Sequence, residues 1–209
     1  GRLKNYKKGA KKDFSCSDRK FAMNLKLDFY TPDEFFLNEE RVEHYELNSF
    51  DPSTYKNIKE NIKIEKDDCE MIILVGCPGS GKSTFAKTYF KEYVYINQDK
   101  LKTKNKCLKL CQQSLENNKS VVIDNTNPDK KIRKQYIDIA KSFNYSIKCF
   151  YMNVDKNLGK HMNYYRFKIN NGNIKLIPDI AYNIYFKKYE IPELEEGFKD
   201  IPDYLHCDV

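Results

Sequence analysis

No stretch of this sequence approaches the ~20 consecutive apolar residues needed to span a bilayer, so no membrane partner is expected. Histidine is scarce, at three residues in 209. The seven cysteines, Cys16, Cys69, Cys77, Cys107, Cys111, Cys149 and Cys207, are odd in number and show neither CxxC spacing nor a neighbouring His pair. That argues against a disulfide framework and a zinc site, and it predicts a reducing compartment. Cys107 and Cys111 fall on one face of an expected helix and read as two small buried residues. The basic opening, GRLKNYKKGAKK, lacks both the apolar segment of a signal peptide and an initiating Met, so a truncation point is expected there. Internal repeats and low-complexity tracts are absent.

The chain does have ample material for a core. Hydrophobic residues make up 40% of it, with 16 Tyr and 13 Phe, so its many charges do not signal disorder and a folded, soluble protein is expected. Its 209 residues fit one α/β domain of about 150 residues plus an appendage. Lys and Arg exceed Asp and Glu by 37 to 30, a formal charge of +7. That excess favours polyanionic partners, although a Lys-rich solvated surface would give the same count.

Two textures divide the chain at about residue 47. In residues 1–47, Thr31 with Pro32, Asp33 and Glu34 has the form of a helix start: an N-cap, a Pro at the first helical position and acidic residues in the first turn. Residues 48–69 are polar, with a Pro and several Asn, and read as a linker. From residue 70 to 209, short apolar runs alternate with amphipathic stretches, the pattern of parallel strands joined by crossover helices. Strands are expected at MIILV (71–75), YVYIN (93–97), SVVID (120–124) and SIKCFYM (146–152). Helices are expected from Ser83 to about Tyr93, Lys106 to Asn117, Asn127–Pro128 to about Phe143, Asp155 to about Lys168, and Pro178 to about Tyr189, with NNGN (170–173) as a turn.

The sharpest motif is Gly76-Cys77-Pro78-Gly79-Ser80-Gly81-Lys82-Ser83, continued by Thr84, which fits GxxxxGK[ST] at every fixed position. Glycines at this spacing let successive backbone N–H groups converge on a phosphate, and the helix beginning at Lys82 adds its positive dipole end. Lys82 is then expected on the β- and γ-phosphates and the Ser83 hydroxyl on magnesium. Asp124 ends an apolar strand where P-loop proteins place a metal-side carboxylate, or else it caps the turn NTNPD. Asp99 follows the second strand, at the sheet edge where ligands bind. It is either a general base or a helix N-cap. Arg166 lies on a late basic helix, either as a surface residue or as a donor to a developing charge. His161 reads as packing or hydrogen bonding. The stripe Ile180, Ile184, Tyr185 and Tyr189 reads as helix core, with Tyr182 or Tyr185 as an alternative stacking surface for a base.

KKDFSCSDRKFAMNLKLDFYTPDEFFL (11–37), GCPGSGKSTF (76–85), VYINQDKL (94–101), VVIDNTNPD (121–129) and the tail from Tyr182 through Lys188-Tyr189-Glu190 to Glu196-Gly197-Phe198 follow one another in an order that resembles the bifunctional polynucleotide kinase/3′-phosphatases of DNA end repair. The resemblance implies an α/β P-loop kinase fold, a parallel sheet flanked by helices, preceded by a short remnant of a haloacid-dehalogenase-like phosphatase domain. It further implies an ATP- and Mg²⁺-dependent kinase acting on nucleic acid 5′-hydroxyl ends, chiefly DNA, in an intracellular, nuclear setting. Asp99 would be the general base, Lys82 and Ser83 would hold phosphates and metal, and Arg166 would be the lid arginine. Arg133 also fits the family pattern, without an assigned role.

The sequence departs from that family at Gln98 and Tyr164, where arginine is usual, and Lys100 or Lys102 is the expected compensation. No Asp has another Asp two positions away, so the phosphatase nucleophile motif DxDGT is absent and phosphatase turnover is not expected from this chain. Two other readings stay open, a small-metabolite kinase of the gluconate or adenylylsulfate type and a DNA-end-binding module without turnover.

Overall fold

The computed structural model describes residues 1–52 and 64–204, in two compact units that are treated separately. The expected linker therefore falls partly on residues outside those described.

The first unit holds α1 (Ser17–Leu25) and α2 (Pro32–Phe36). Thr31 caps α2 as expected, in a full capping box: its hydroxyl accepts from the Glu34 N–H, and the Glu34 carboxylate accepts from the Thr31 N–H at 2.6 Å. With so short a helix, charge clusters carry the packing. Arg2 forks onto Asp13 at 3.1 Å and reaches Asp33 at 2.9 Å, and the Arg19 guanidinium lies 3.9 Å over the Tyr45 ring.

The second unit contains β1 (Glu70–Gly76), α3 (Lys82–Tyr89), β2 (Val94–Ile96), α4 (Gln98–Leu101), α5 (Lys104–Glu116), β3 (Val121–Ile123), α6 (Lys130–Ser142), β4 (Ser146–Met152), α7 (Lys156–Ile169), α8 (Asp179–Lys188) and β5 (Asp203–Tyr204). The strands form one sheet in the order β2-β3-β1-β4-β5, every pairing parallel. Parallel pairing requires crossover connections, so both faces are covered and the central strand reads as an unbroken apolar run.

Strand periodicity sorts β1 between two cores. Met71, Ile73 and Val75 pack with Cys107, Cys111 and Leu115 of α5 and Tyr136, Ile137 and Ala140 of α6. Ile72 and Leu74 pack on the other face with Phe85, Ala86 and Phe90. Cys107 and Cys111 are fully buried, as expected of small core residues. Among the described residues, no helix is long and apolar enough to cross a membrane.

Several expected boundaries move. Asn127–Pro128 does not cap α6; Asp129 does, its carboxylate accepting from the Ile132 N–H at 2.7 Å. Asn127 is buried with φ 43° and spends its amide on the Leu74 carbonyl at 2.7 Å. The short helix α4 arises where the sequence showed no periodicity, because Asn97 caps it. The expected apolar stripe of α8 also divides. Tyr182 and Tyr185 are buried, whereas Ile180 and Ile184 lie on the exposed side of the helix. Tyr182 donates to the Gly159 carbonyl at 3.1 Å. Neither tyrosine offers a face for base stacking.

Candidate active site

The P-loop leaves the carboxyl end of β1 and enters α3 without a side-chain cap, because the N-cap is Gly81. The first-turn N–H groups of α3 are thereby left for an anion, as at other helix N-termini that bind phosphate. Gly79 and Gly81 have φ of 76° and 89°, a backbone region that L side chains rarely adopt. A Cβ on Gly79 would also stand 3.0 Å from the Gly159 carbonyl. Behind the loop, Cys77 is buried with its thiol toward the Val154 carbonyl, and burial pushes that thiol up to about 11, so it is not a nucleophile.

Lys82 is buried, and its ammonium donates to the carbonyls of Gly76 at 2.9 Å and Cys77 at 2.8 Å and to the Ser80 hydroxyl at 3.3 Å. Burial pushes its pKa down, against the opposing pull of Asp124. The cation is thus held by loop oxygens inside the curve where phosphates are expected.

Asp124 is the hub of the neighbouring network. Its Oδ2 accepts from the Ser83 hydroxyl at 2.5 Å, from the Asn97 amide at 3.3 Å and from the Tyr95 hydroxyl. Asn97 also donates to the Asp124 carbonyl at 2.7 Å. A hydroxyl and a carboxylate converging in this way are hard oxygen donors of the kind that hold Mg²⁺ together with phosphate oxygens. Among the described residues there is no group of three or more His, Cys, Asp or Glu that could hold a metal unaided. No local motif in the sequence marks Tyr95 and Asn97, which show only a position at the end of a strand.

A cavity of about 760 Å³ opens over these groups and brings Lys82, Ser83, Asp99, Asp124 and Arg166 to a common border. A smaller hollow of about 80 Å³ joins Gly79 through Thr84 to Arg166. Gln98 also borders the larger cavity, whereas Tyr164 is an exposed residue of α7 outside both hollows. The N-cap alternative for Asp99 falls, because Asn97 takes that role, its Oδ1 accepting from the Lys100 N–H at 3.2 Å. Arg166 is half-buried and reaches Asn163 at 3.5 Å, while its buried Nε has no partner among the described residues. An orphaned guanidinium donor bordering the P-loop fits an anionic oxygen.

Two protein-family models match this sequence: one described as an AAA domain over residues 71–171, and one described as polynucleotide kinase 3 phosphatase over residues 1–36. Two curated relatives follow the chain almost end to end. A candidate bifunctional polynucleotide phosphatase/kinase of Acanthamoeba polyphaga mimivirus is 43% identical over 201 residues, covering 90% of this chain and 48% of the relative. The bifunctional polynucleotide phosphatase/kinase of Schizosaccharomyces pombe is 38% identical over 197 residues, covering 91% and 48%. The chain belongs to the polynucleotide phosphatase/kinase family. It spans about half the length of the curated relatives it matches. A gluconokinase from Sinorhizobium meliloti 1021 is a looser structural neighbour, at 14% identity and a TM-score of 0.47 over 65% of this chain and 82% of that one.

Arg133, which fits the family pattern without an assigned role, now has a place. Fully buried, it forks onto Glu196 at 2.8 and 2.7 Å and donates to the carbonyls of Asn127, Pro128 and Glu190. It pins the C-terminal tail beneath the loop that carries Asp124, which makes it a structural clamp. Arg133→Lys keeps the charge but cannot reproduce the planar fork. We expect it to lose about 2 kcal/mol, a fall in Tm of about 4–8 °C in thermal melts. An unchanged Tm would contradict the clamp.

Proposed function

We propose that this chain transfers the terminal phosphoryl group of ATP, with Mg²⁺, to the 5′-hydroxyl end of a nucleic acid, DNA in the first instance. The observation that carries this reading is the cavity in which the P-loop, Asp99, Asp124 and Arg166 meet. It is supported by relatives whose names pair polynucleotide phosphatase with kinase.

Mg²⁺, when bound, would supply charge neutralisation at the transferring phosphoryl group. Ser83 and Asp124 would hold that ion, and Tyr95 and Asn97 would fix the Asp124 carboxylate. Lys82 would exchange loop carbonyls for phosphate oxygens, and Arg166 would place its free donor on the transferring group. Asp99 would take the proton of the attacking hydroxyl. Because no Asp-x-Asp pair is present, 3′-phosphate release is not part of the proposal. On the family resemblance alone we place the protein inside the cell, in the nucleus.

The test is γ-labelled ATP with a 5′-hydroxyl oligonucleotide and gluconate in the same tube. We expect label on the oligonucleotide, and none after chelation of the divalent ion. Binding of the oligonucleotide should weaken with salt, by a logarithmic slope of about −0.7 per contacted phosphate on a single strand. Label on gluconate in preference would make this a metabolite kinase, and binding without any transfer would make it an end-binding module.

A further inference from the structure

We propose that Asn163 is a positioning residue for the transfer: its one side-chain amide ties segment 174–178, which walls the cavity, to α7 and steers the Arg166 guanidinium at the same time. This deepens the 5′-kinase reading above and rests on it.

Asn163 and Arg166 lie three positions apart on α7, which puts them on one face of the helix. Beyond the helix the chain reverses through Asn171 and Gly172, with φ of 50° and 76°, and returns along the cavity as Ile174, Lys175, Leu176, Ile177 and Pro178. A residue that precedes proline is pushed into extended backbone. There the N–H and C=O of one residue face the same side, as they do where two antiparallel residues exchange both bonds. The Asn163 amide takes the place of such a partner. Its Nδ2 donates to the Ile177 carbonyl at 3.0 Å, and its Oδ1 accepts from the Ile177 N–H at 3.2 Å. Among the described residues, 174–177 make no other hydrogen bond, so this wall of the cavity hangs from one side chain.

The same Oδ1 reaches Arg166. An amide oxygen has two lone pairs; one serves Ile177, and the other receives Arg166 Nη2 at 3.5 Å. That contact is long enough to orient the guanidinium without holding it back from an anion, which would offer shorter, charge-assisted bonds. Asn163 is itself only 2% exposed, and its Cβ is 3.6 Å from where a Cβ on Gly79 would stand. Cavity wall, P-loop and Arg166 therefore meet on one buried, neutral side chain. Neutrality matters at this junction. An aspartate would still accept from the Ile177 N–H, but its second oxygen would face the Ile177 carbonyl and its charge would draw Arg166 into an ion pair.

The experiment measures kcat and the KM for ATP of the full chain on a 5′-hydroxyl oligonucleotide, with amide hydrogen exchange at Ile177 followed by NMR. In Asn163→Asp we expect kcat to fall about ten- to a hundredfold, the range of a hydrogen bond to a charged group, with the KM for ATP little changed. Placed on Arg166→Ala and read by single turnover, the same substitution should cost far less than it does on the wild type, because residues that act through one another are not additive. In Asn163→Ala the Ile177 amide should exchange severalfold faster than in the wild type, and kcat should fall as well. That variant buries no charge, so it carries the test if thermal melts show the aspartate variant unfolded. Wild-type kcat in the folded variants, an equal further loss on Arg166→Ala, or an Ile177 amide indifferent to Asn163→Ala would overturn the assignment. Transfer to no oligonucleotide by the wild type would overturn the 5′-kinase reading and the role of Asn163 with it, and the exchange at Ile177 would still report whether the tie itself exists.

Discussion

Lys82→Met should leave a folded protein with no measurable phosphoryl transfer. In the proposed mechanism Lys82 serves the β- and γ-phosphates, and its ammonium already has three oxygen partners in the P-loop curve. Removing a single preorganised donor to a developing charge lowers turnover by about 10²–10³. Lys82 would serve two phosphate groups, so the upper end or beyond is expected, together with weaker ATP binding. Stability should respond differently. Burial depresses the Lys82 pKa, so a charged ammonium there carries a desolvation penalty. Met keeps much of the volume and removes that penalty while losing the three hydrogen bonds. The two effects oppose, and thermal melts should show a Tm within a few degrees of wild type, about 1 kcal/mol either way. Near-normal kcat in Lys82→Met would remove the P-loop from the mechanism, whereas an unfolded variant would show that the buried cation is structural.

The legible parts of this protein are those where local geometry restricts residue type. The P-loop could be read because its φ values demand glycine at 79 and 81. Strand β4 appears with the bounds expected, 146–152, because a strand covered on both faces must be almost continuously apolar. Thr31 could be read as an N-cap because its partners lie within three residues, and the structure completes the pair as a capping box. Long-range pairings were illegible. Tyr95 reaches Asp124 only because β2 lies beside β3 with Tyr95 paired to Val122, a register that no local pattern encodes. Arg133 and Glu196 are separated by 63 positions and meet only when the C-terminal tail folds back. Asn127 misled for a related reason. Asn-Pro before a helical pattern looks like a cap, but the amide is claimed by a carbonyl of a different strand.

The expected result for Asp99→Asn is a fall in transfer of about 10²–10⁴ with nucleotide binding nearly intact. The amide keeps the shape of the carboxylate and loses its capacity to take a proton, and that range is what a positioned general base contributes. The structure makes this substitution cleaner than the sequence alone allowed. Asp99 does not cap α4; Asn97 does, so the helix start should survive the change. The Lys102 ammonium is held by the Asp99 backbone carbonyl, so that contact should survive as well. In the proposed mechanism ATP binding would draw on the P-loop amides, Lys82 and Ser83, none of which the substitution touches. Binding measured by calorimetry should therefore stay close to wild type while single-turnover transfer collapses. If the Asp99→Asn variant turns over at the wild-type rate, the proton leaves by another route and Asp99 is only a wall of the cavity. If the wild type itself binds 5′-hydroxyl ends without transferring phosphate, the chain is an end-binding module and the carboxylate has no proton to take.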